Sequence, residues 1–136
     1  MQKLINFVLI MKLLLAIVFF FTSFVPGEPV DEIVNAIKMG KASELVKYFD
    51  EKVSIKIITQ EDLLSRPQAE ANLRYFFEKH PVRSFTASHK SSINNSSQYI
   101  TGTLETSNGR FRVSILIRQA LVSQFRIEAD NDWFCQ

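Results

Sequence analysis

The chain has 136 residues, a length that suits one domain together with a processing segment. Its hydrophobic content of 46% is raised by an apolar N-terminus, so the core of the remaining domain is modest. The formal net charge is +2, and residues 28–136 hold fourteen basic and fourteen acidic residues. A neutral domain with interspersed signs lacks the basic face that binds phosphates, so we expect no nucleic-acid partner.

An apolar run near the N-terminus predicts an export signal. It extends from Leu13 to Val25, follows Lys12 and gives way to PGEP. Its length suits the hydrophobic region of a signal peptide but falls short of the roughly 20 residues that cross a bilayer. We therefore expect residues 1–27 to be a signal peptide cleaved after Gly27, which makes the protein exported, periplasmic or extracellular. The alternative is an uncleaved anchor, and no other membrane contact is expected.

The single cysteine, Cys135, excludes an internal disulfide and a cysteine-based metal site. The two histidines do not have ligand spacing, and the four glycines form no phosphate-binding loop, so we predict no metal and no cofactor. Residues 130–136 are interpreted as a C-terminal tail. Its Trp133 and Phe134 either pack on the domain or contact a partner, and the sequence leaves both open.

Two helices are predicted before the first strand. Apolar residues with helical spacing predict a helix that stops at Gly40, and these are Val30, Ile33, Val34 and Ile37. Ser43 can cap a second helix that ends near Asp50, before a strand at 53–57.

A third helix is predicted from Ser65 to Lys79. Ser65 and Gln68 have the spacing of a capping box, and Pro67 suits a first helical turn. His80 precedes Pro81, which disfavours further helix. One face of this helix is apolar through Ala69, Leu73, Phe76 and Phe77.

From residue 84 onward, alternating apolar and polar residues predict a four-stranded antiparallel meander. The strands are 84–90, 97–106, 110–118 and 122–129, with a polar loop at 91–96. An Asn108-Gly109 pair predicts a type I′ turn, which places Leu104 opposite Val113.

A three-residue turn at 119–121 would place Val113 opposite Ile127 and Ile115 opposite Phe125. Gly102 is interpreted as a point where another part of the sheet approaches the backbone closely.

The alternation also divides the sheet into two faces. The face predicted to be buried under the helices carries Phe85, Ala87, His89, Ile100, Leu104, Phe111, Val113, Ile115, Ile117, Phe125 and Ile127. On the outer face the predicted register places Arg112 between Glu105 and Glu128. This triplet is either a recognition surface or, as we favour, a solvated cross-strand ladder that fixes the register.

Several segments resemble an uncharacterised family of small exported bacterial proteins with a nuclear-transport-factor-2-like (cystatin-like) fold. They are EIVNAIKMGKASELVKYFDEKVSI, SRPQAEANLRYFFEKHP, SFTASHK, YITGTLETSNGRFRVSILI and SQFRIE. The resemblance implies an α+β domain over residues 28–129, in which three N-terminal helices pack on a curved antiparallel sheet to form a cone. It implies no catalytic residues. Related domains often dimerise through the sheet or hold small hydrophobic ligands, so a homodimer and an apolar ligand are both expected by analogy.

Two functions are compatible with these features. We favour a non-enzymatic exported domain that binds a small apolar ligand or a partner protein in the cone. The residues predicted to line that site are Phe76, Phe77, Phe85, Ile100, Phe111 and Phe125. The alternative for this set is that it fills the core completely.

The second function is an isomerase or dehydratase with a general base inside the cone. His89 is the only inward-facing candidate for the base, with Tyr48 and Tyr75 as possible hydroxyl donors. A structural histidine is the alternative interpretation of His89. His80 is a weaker candidate because it ends a helix.

Overall fold

The structure, a computed structural model, describes residues 1–21 and 29–130. The predicted cleavage site after Gly27 and the tail residues Trp133, Phe134 and Cys135 lie outside these ranges. The described helices are α1 Gln2–Phe21, α2 Pro29–Met39, α3 Ala42–Leu45 and α4 Arg66–Lys79, with a 3-10 turn at Val46–Tyr48. The strands are β1 Phe49–Ile57, β2 Gln60–Ser65, β3 Val82–Asn94, β4 Ser97–Thr106, β5 Gly109–Arg118 and β6 Leu121–Ala129.

Helix α1 covers the start of the predicted signal peptide. Its large apolar side chains from Leu4 to Val18 are exposed. None of the helices in the described ranges combines the length and hydropathy needed to cross a bilayer. Export through a signal peptide stays a prediction.

The six strands form one sheet in the order β2-β1-β6-β5-β4-β3. The predicted meander of four strands is present as β3 to β6. Strand β1 joins it by pairing with β6 in parallel, and β2 pairs with β1 in an antiparallel hairpin at the edge of the sheet. Strand β2 was not predicted, and the expected polar loop at 91–96 is instead the end of β3 and a tight turn at Asn95-Ser96.

Helix α2 agrees with the prediction, including its end at Gly40, which adopts a left-handed φ of 63°. The second helix differs, because it follows Lys41 at once and is only one turn long before the 3-10 turn. Ser43 is thus inside the helix rather than its cap. The chain is extended from Phe49 onward because Phe49 pairs with Val122 of β6 and its ring packs 5.8 Å from that of Phe125.

Helix α4 also agrees with the prediction in its bounds and its buried face. The Ser65 backbone N–H donates to Gln68 Oε1 at 3.1 Å, which is one half of the capping box. As predicted, α4 follows the first strand of the domain. Because α2 and α3 precede the sheet while α4 lies between β2 and β3, the description of three N-terminal helices is not confirmed.

The core lies between these helices and one face of the sheet, called the inner face here. Apolar side chains of α2, α3 and α4 pack on those of β1, β3, β4, β5 and β6. Of the residues predicted to be buried, nine are buried and Ala87 is half-buried, while His89 is exposed. The fold class, an α+β domain with helices on one face of a sheet, is therefore as predicted.

The β4–β5 hairpin has a different register from the predicted one. Leu104 lies opposite Phe111 instead of Val113, and the turn consists of Ser107 and Asn108, neither of which has a positive φ. The predicted type I′ turn at Asn108-Gly109 is thus wrong. Because the shift is two residues, each side chain still lies on the predicted face.

A turn with two left-handed residues does occur, but between β5 and β6. Gln119 and Ala120 have φ values of 51° and 64°. The predicted pairs that follow, Val113 with Ile127 and Ile115 with Phe125, are confirmed, because an irregularity beside Leu116 compensates for the shorter turn.

On the outer face, the predicted position of Arg112 between Glu105 and Glu128 is half correct. Arg112 lies opposite Glu128 on β6, but opposite Thr103 on β4. Glu105 instead pairs with Arg110, whose Nη2 is 2.7 Å from Glu105 Oε1. The Nζ of Lys56 on β1 donates to Glu128 Oε1 at 2.7 Å, so the ladder of charges extends across the parallel strand pair.

The ion pair of Glu128 should make stability depend on pH. The hydrogen bond from Lys56, aided by the nearby Arg126 and Arg112, holds the pKa of Glu128 below its usual value of 4.5. A carboxyl group with a lowered pKa in the folded state stabilises the protein above its unfolded-state pKa, and that contribution is lost as the pH falls through the folded-state pKa. We therefore expect Glu128→Gln to flatten the acid decline of the unfolding free energy, measured by urea unfolding across pH. Lys56→Met should flatten it similarly, and an unchanged decline in both variants would contradict the assignment.

Gly102 confirms the prediction of a close approach. A Cβ atom there would lie 2.6 Å from Cζ of Phe85 and 2.7 Å from the carbonyl oxygen of Thr86. Gly102→Ala should lower the unfolding free energy by about 1 to 3 kcal/mol through overpacking, as measured by urea unfolding. Thr103→Ala, the adjacent change on the outer face, is the control and should cost about 0.5 kcal/mol or less. Equal losses in the two variants would refute the steric explanation.

Candidate functional site

The six residues predicted to line a ligand cavity in the cone are all core residues. Their exposed fractions range from 0% for Phe125 to 7% for Phe77. Rings within the set pack on one another, as Phe76 does on Phe77 and on Phe111 with centroids 5.8 and 5.2 Å apart. This arrangement favours the alternative that they fill the core. Ligand binding by this set stays a prediction, although Phe76 also reaches the groove described below.

His89 does not face the cone. Strand β3 has a bulge between Ala87, which pairs with Gly102, and His89, which pairs with Thr101. The extra residue reverses the alternation, so His89 lies exposed on the outer side. The prediction of an inward-facing histidine at this position is wrong.

The other candidates for chemistry inside the cone also lie elsewhere. Tyr48 is half-buried and its hydroxyl donates to the carboxylate of Glu32, a bond that raises the pKa of Tyr48. Tyr75 is exposed on α4. The buried polar side chains among the described residues are Thr106 and Ser114, neither of which titrates. The core described here thus contains no general base.

A groove of about 280 Å³ lies between helix α4 and the β1–β2 hairpin and is called the α4–β2 groove here. Its apolar lining consists of Ile55, Ile57, Ile58, Leu64 and Phe76. Its polar lining consists of Gln60, Asp62, Asn72, Tyr75, Lys79 and His80. An apolar floor with a few polar groups around it is the usual composition of a small-molecule site, and the volume is at the small end of that class.

The local sequence explains this lining. On β2 the side chains of Gln60, Asp62 and Leu64 lie opposite Ile57, Ile55 and Val53 of β1, so all three point to the inner side. Helix α4 presents residues 72, 75, 76 and 79, which share one side of a helix.

Two formal charges line the α4–β2 groove. Asp62 Oδ2 accepts a hydrogen bond from Gln60 Nε2 at 3.2 Å, and Lys79 Nζ lies 5.5 Å from the ring centroid of Tyr75. Apart from His80, one carboxylate and one ammonium give the lining no net formal charge. The groove therefore has no electrostatic preference for an ionic ligand of either sign.

Ile58, which lines the groove, has a backbone conformation that is energetically unfavourable for its residue type. It is the first turn residue between β1 and β2, has a φ of 60° and is 39% exposed. A β-branched residue in the left-handed region is a true outlier, and such strain is concentrated at functional sites. The bond from its backbone N–H to the Ile127 carbonyl, at 2.7 Å, helps to hold this turn.

His80 lies at the end of α4, where the groove meets the β4–β5 hairpin. Its ring packs on Phe76 and Phe111, with centroids 4.6 and 5.0 Å away. Its Nδ1 lies 2.7 Å from Oδ1 of Asn108, whose Nδ2 donates to the Lys79 carbonyl at 3.0 Å. Asn108 therefore links the helix end to the hairpin turn, and we call this set of contacts the Asn108 clasp.

The clasp includes two further bonds. The Ser107 backbone N–H donates to the Pro81 carbonyl at 3.0 Å, and the Thr106 hydroxyl donates to the Gly109 carbonyl at 2.8 Å. These bonds explain why the turn uses Ser107 and Asn108 as its centre, since this register places the Asn108 amide against the helix end. A ring held on three sides in this way is a pre-positioned polar group at the groove.

The sequence analysis did not predict strand β2 and did not favour His80 as a site residue. Strand β2 has the sequence QEDLLS, in which apolar and polar residues hardly alternate. The turn before it is Ile58-Thr59, which contains none of the residue types that are typical of hairpin turns. His80 was the weaker histidine because it ends a helix, yet it is the one that lines a pocket. The only available signal was His80-Pro81 itself, which fixes where the helix ends.

Taken together, the fold defines the class of protein. An α+β domain with helices on one face of a six-stranded sheet is shared with solved structures described as NTF2-like and cystatin-like. An NTF2-like protein of unknown function from Cytophaga hutchinsonii has a TM-score of 0.58 at 8% identity, over 85% of this chain and 98% of that one. A cystatin-like domain of unknown function from Nostoc punctiforme has a TM-score of 0.61 at 8% identity, over 82% and 85% of the two chains. These likenesses show the fold alone.

The family is more specific. Residues 30–129 match the model of a family described as "Domain of unknown function (DUF4783)". A DUF4783 protein from Bacteroides uniformis is 30% identical with a TM-score of 0.71, over 80% of this chain and all of that one. Another, from Bacteroides fragilis, is 32% identical with a TM-score of 0.68, over 79% and 100%. The chain belongs to the DUF4783 family, which confirms the predicted resemblance. No curated protein matches it.

The Asn108 clasp should contribute measurably to stability. Asn108→Ala removes the bonds to His80 and to the Lys79 carbonyl, so we expect a loss of about 1 kcal/mol of unfolding free energy, as measured by urea unfolding. The control is Asn95→Ala in the exposed β3–β4 turn, which should change stability by about 0.5 kcal/mol or less. Equal effects would mean that the clasp does not stabilise the domain.

Proposed function

We propose that this protein is an exported binding domain that holds a small, mostly apolar molecule in the α4–β2 groove. The observation that carries the proposal is the groove itself, in which Ile57, Leu64 and Phe76 form an apolar floor beneath a ring of polar side chains. A ligand that covers this floor removes apolar surface from water, which favours binding by roughly 25 cal/mol for each Å² buried.

The site differs from the one expected in the cone, where the six residues are buried and several of their rings pack on one another. A ligand would instead lie at the mouth, between α4 and the edge hairpin. There it reaches the exposed Tyr75 and the strained Ile58 without any repacking of the core. A rigid site of this kind loses little free energy to rearrangement on binding.

The enzymatic alternative has weaker support. An isomerase or dehydratase needs a base in a dry cavity, and the described core has none. The α4–β2 groove is partly open to solvent, which suits reversible binding better than proton abstraction. We therefore keep the non-enzymatic function as the proposal.

Export, partners and oligomeric state are parts of the same proposal. The apolar segment 13–25 and the exposed side chains of α1 support a signal peptide over residues 1–27. A homodimer through the outer face of the sheet is proposed by analogy only, and that face carries the Lys56–Glu128 ion pair. A partner protein could alternatively bind at the groove through one apolar side chain.

The test is native mass spectrometry of the full chain, expressed in an exporting host and purified without detergent. We expect a reproducible small-molecule adduct on a protein that has lost residues 1–27. Asn72→Trp, which fills the groove with a large side chain, should lose the adduct. Glu78→Trp, an exposed change on the same helix but outside the groove, should retain it.

Two results would contradict the proposal. One is a bare wild-type protein that also fails to bind any added alkylphenol or alkyl alcohol. The other is an adduct that Asn72→Trp retains at wild-type occupancy, which would place the ligand elsewhere. An unprocessed chain in the exported fraction would contradict the signal peptide but not the groove.

A further inference from the structure

We propose that the α4–β2 groove recognises a neutral hydroxylated molecule, and that His80 accepts the hydrogen bond from its hydroxyl group. The inference rests on the proposed function, since it assigns the ligand class of the same site. It depends on the Asn108 clasp, which determines which nitrogen of His80 carries a proton.

The clasp leaves only one arrangement of donors and acceptors. The Lys79 carbonyl can only accept, so the side of the Asn108 amide that faces it must be the NH₂ group, at 3.0 Å. The other side, Oδ1, then faces His80 Nδ1 at 2.7 Å. Because Oδ1 can only accept, Nδ1 must carry the hydrogen.

The consequence concerns the second ring nitrogen. In a neutral imidazole with Nδ1 protonated, Nε2 holds the lone pair and acts as an acceptor. Nδ1 is occupied by Asn108 and the ring faces pack near Phe76 and Phe111. Nε2 is therefore the nitrogen that remains for a ligand, and a ligand that meets it must bring a hydrogen-bond donor.

The charges in the lining are balanced, which suits a neutral donor. Lys79 attracts an anionic head group that Asp62 repels, and the reverse holds for a cationic one, so neither ion gains a net electrostatic advantage. A hydroxyl group donates without carrying charge, and an apolar body beside it can cover Ile57, Leu64 and Phe76. The ligand class is thus a small alcohol or phenol.

The experiment compares matched probes on the full-length protein. These are 4-butylphenol, its methyl ether and 4-butylbenzoate, titrated at about pH 8, where an ordinary imidazole is neutral. Binding is followed by amide chemical shifts of groove residues. We expect the phenol to bind about fivefold more tightly than the ether, the difference that one neutral hydrogen bond supplies. The benzoate should bind more weakly than the phenol.

Two variants test the role of His80. His80→Phe keeps an aromatic ring between Phe76 and Phe111 but has no ring nitrogen, so the phenol and the ether should bind equally. His89→Phe changes the other histidine, outside the groove, and should keep the fivefold preference. If His80→Phe does not fold, the imidazole ¹⁵N spectrum of the wild type provides the readout, because the phenol should shift the Nε2 resonance and the ether should not.

The outcomes separate the two proposals. If both probes bind in the groove with equal affinity, or if the benzoate binds best, the assignment of His80 as acceptor is overturned and the binding function stands. If no probe binds, the proposed function fails and this inference fails with it. A phenol preference that His80→Phe abolishes and His89→Phe preserves supports both.

Discussion

The parallel pairing of β1 with β6 holds the two halves of this domain together. Strand β6 completes the meander but would leave one edge of it open, with the side chains of Phe125 and Ile127 at that edge. Strand β1 covers this edge by placing Ile55 beside Phe125 and Ile57 beside Ile127. The helices α2 and α3, which lead into β1, are thereby set over the inner face. The β1–β2 hairpin then extends beyond the meander, and α4 returns across it, so the position of the groove follows from this one pairing.

The contrast between the two histidines shows how local geometry decides a residue's environment. The bulge between Ala87 and His89 in β3 places His89 on the outer face of the sheet, where it is exposed to solvent. His80 lies at a helix end, yet its contacts join its own helix to the β4–β5 hairpin, where Asn108 lies 28 residues further along the chain. The hairpin supplies Asn108, α4 supplies Phe76 and β5 supplies Phe111. Long-range packing, rather than the strand alternation, gives His80 its defined orientation.

The periodic elements could be predicted from the sequence and the non-periodic ones could not. Helix α4 was predictable because Ser65, Pro67 and Gln68 mark its start and Pro81 its end. The faces of β4 and β5 were predictable because a register error of two residues leaves the alternation unchanged. The hairpin register itself was not, since Asn108-Gly109 favours one turn by local preference while the Asn108 amide is held by the Lys79 carbonyl in another. Strand β2 was missed because its turn uses Ile58, a residue that ordinarily avoids the left-handed conformation.

The inward position of Asp62 has a consequence for the behaviour of the protein at high concentration. Strand β2 forms an edge of the sheet, and an edge strand offers backbone hydrogen bonds to any other extended chain. A charged side chain that points to the inner side opposes such pairing, because an added strand would bury the carboxylate. Asp62 thus protects the edge from aggregation and also limits how apolar the groove can become. A homologue with an aliphatic residue at this position would accept a more hydrophobic molecule. It would also need another feature that prevents the edge strands of different molecules from pairing.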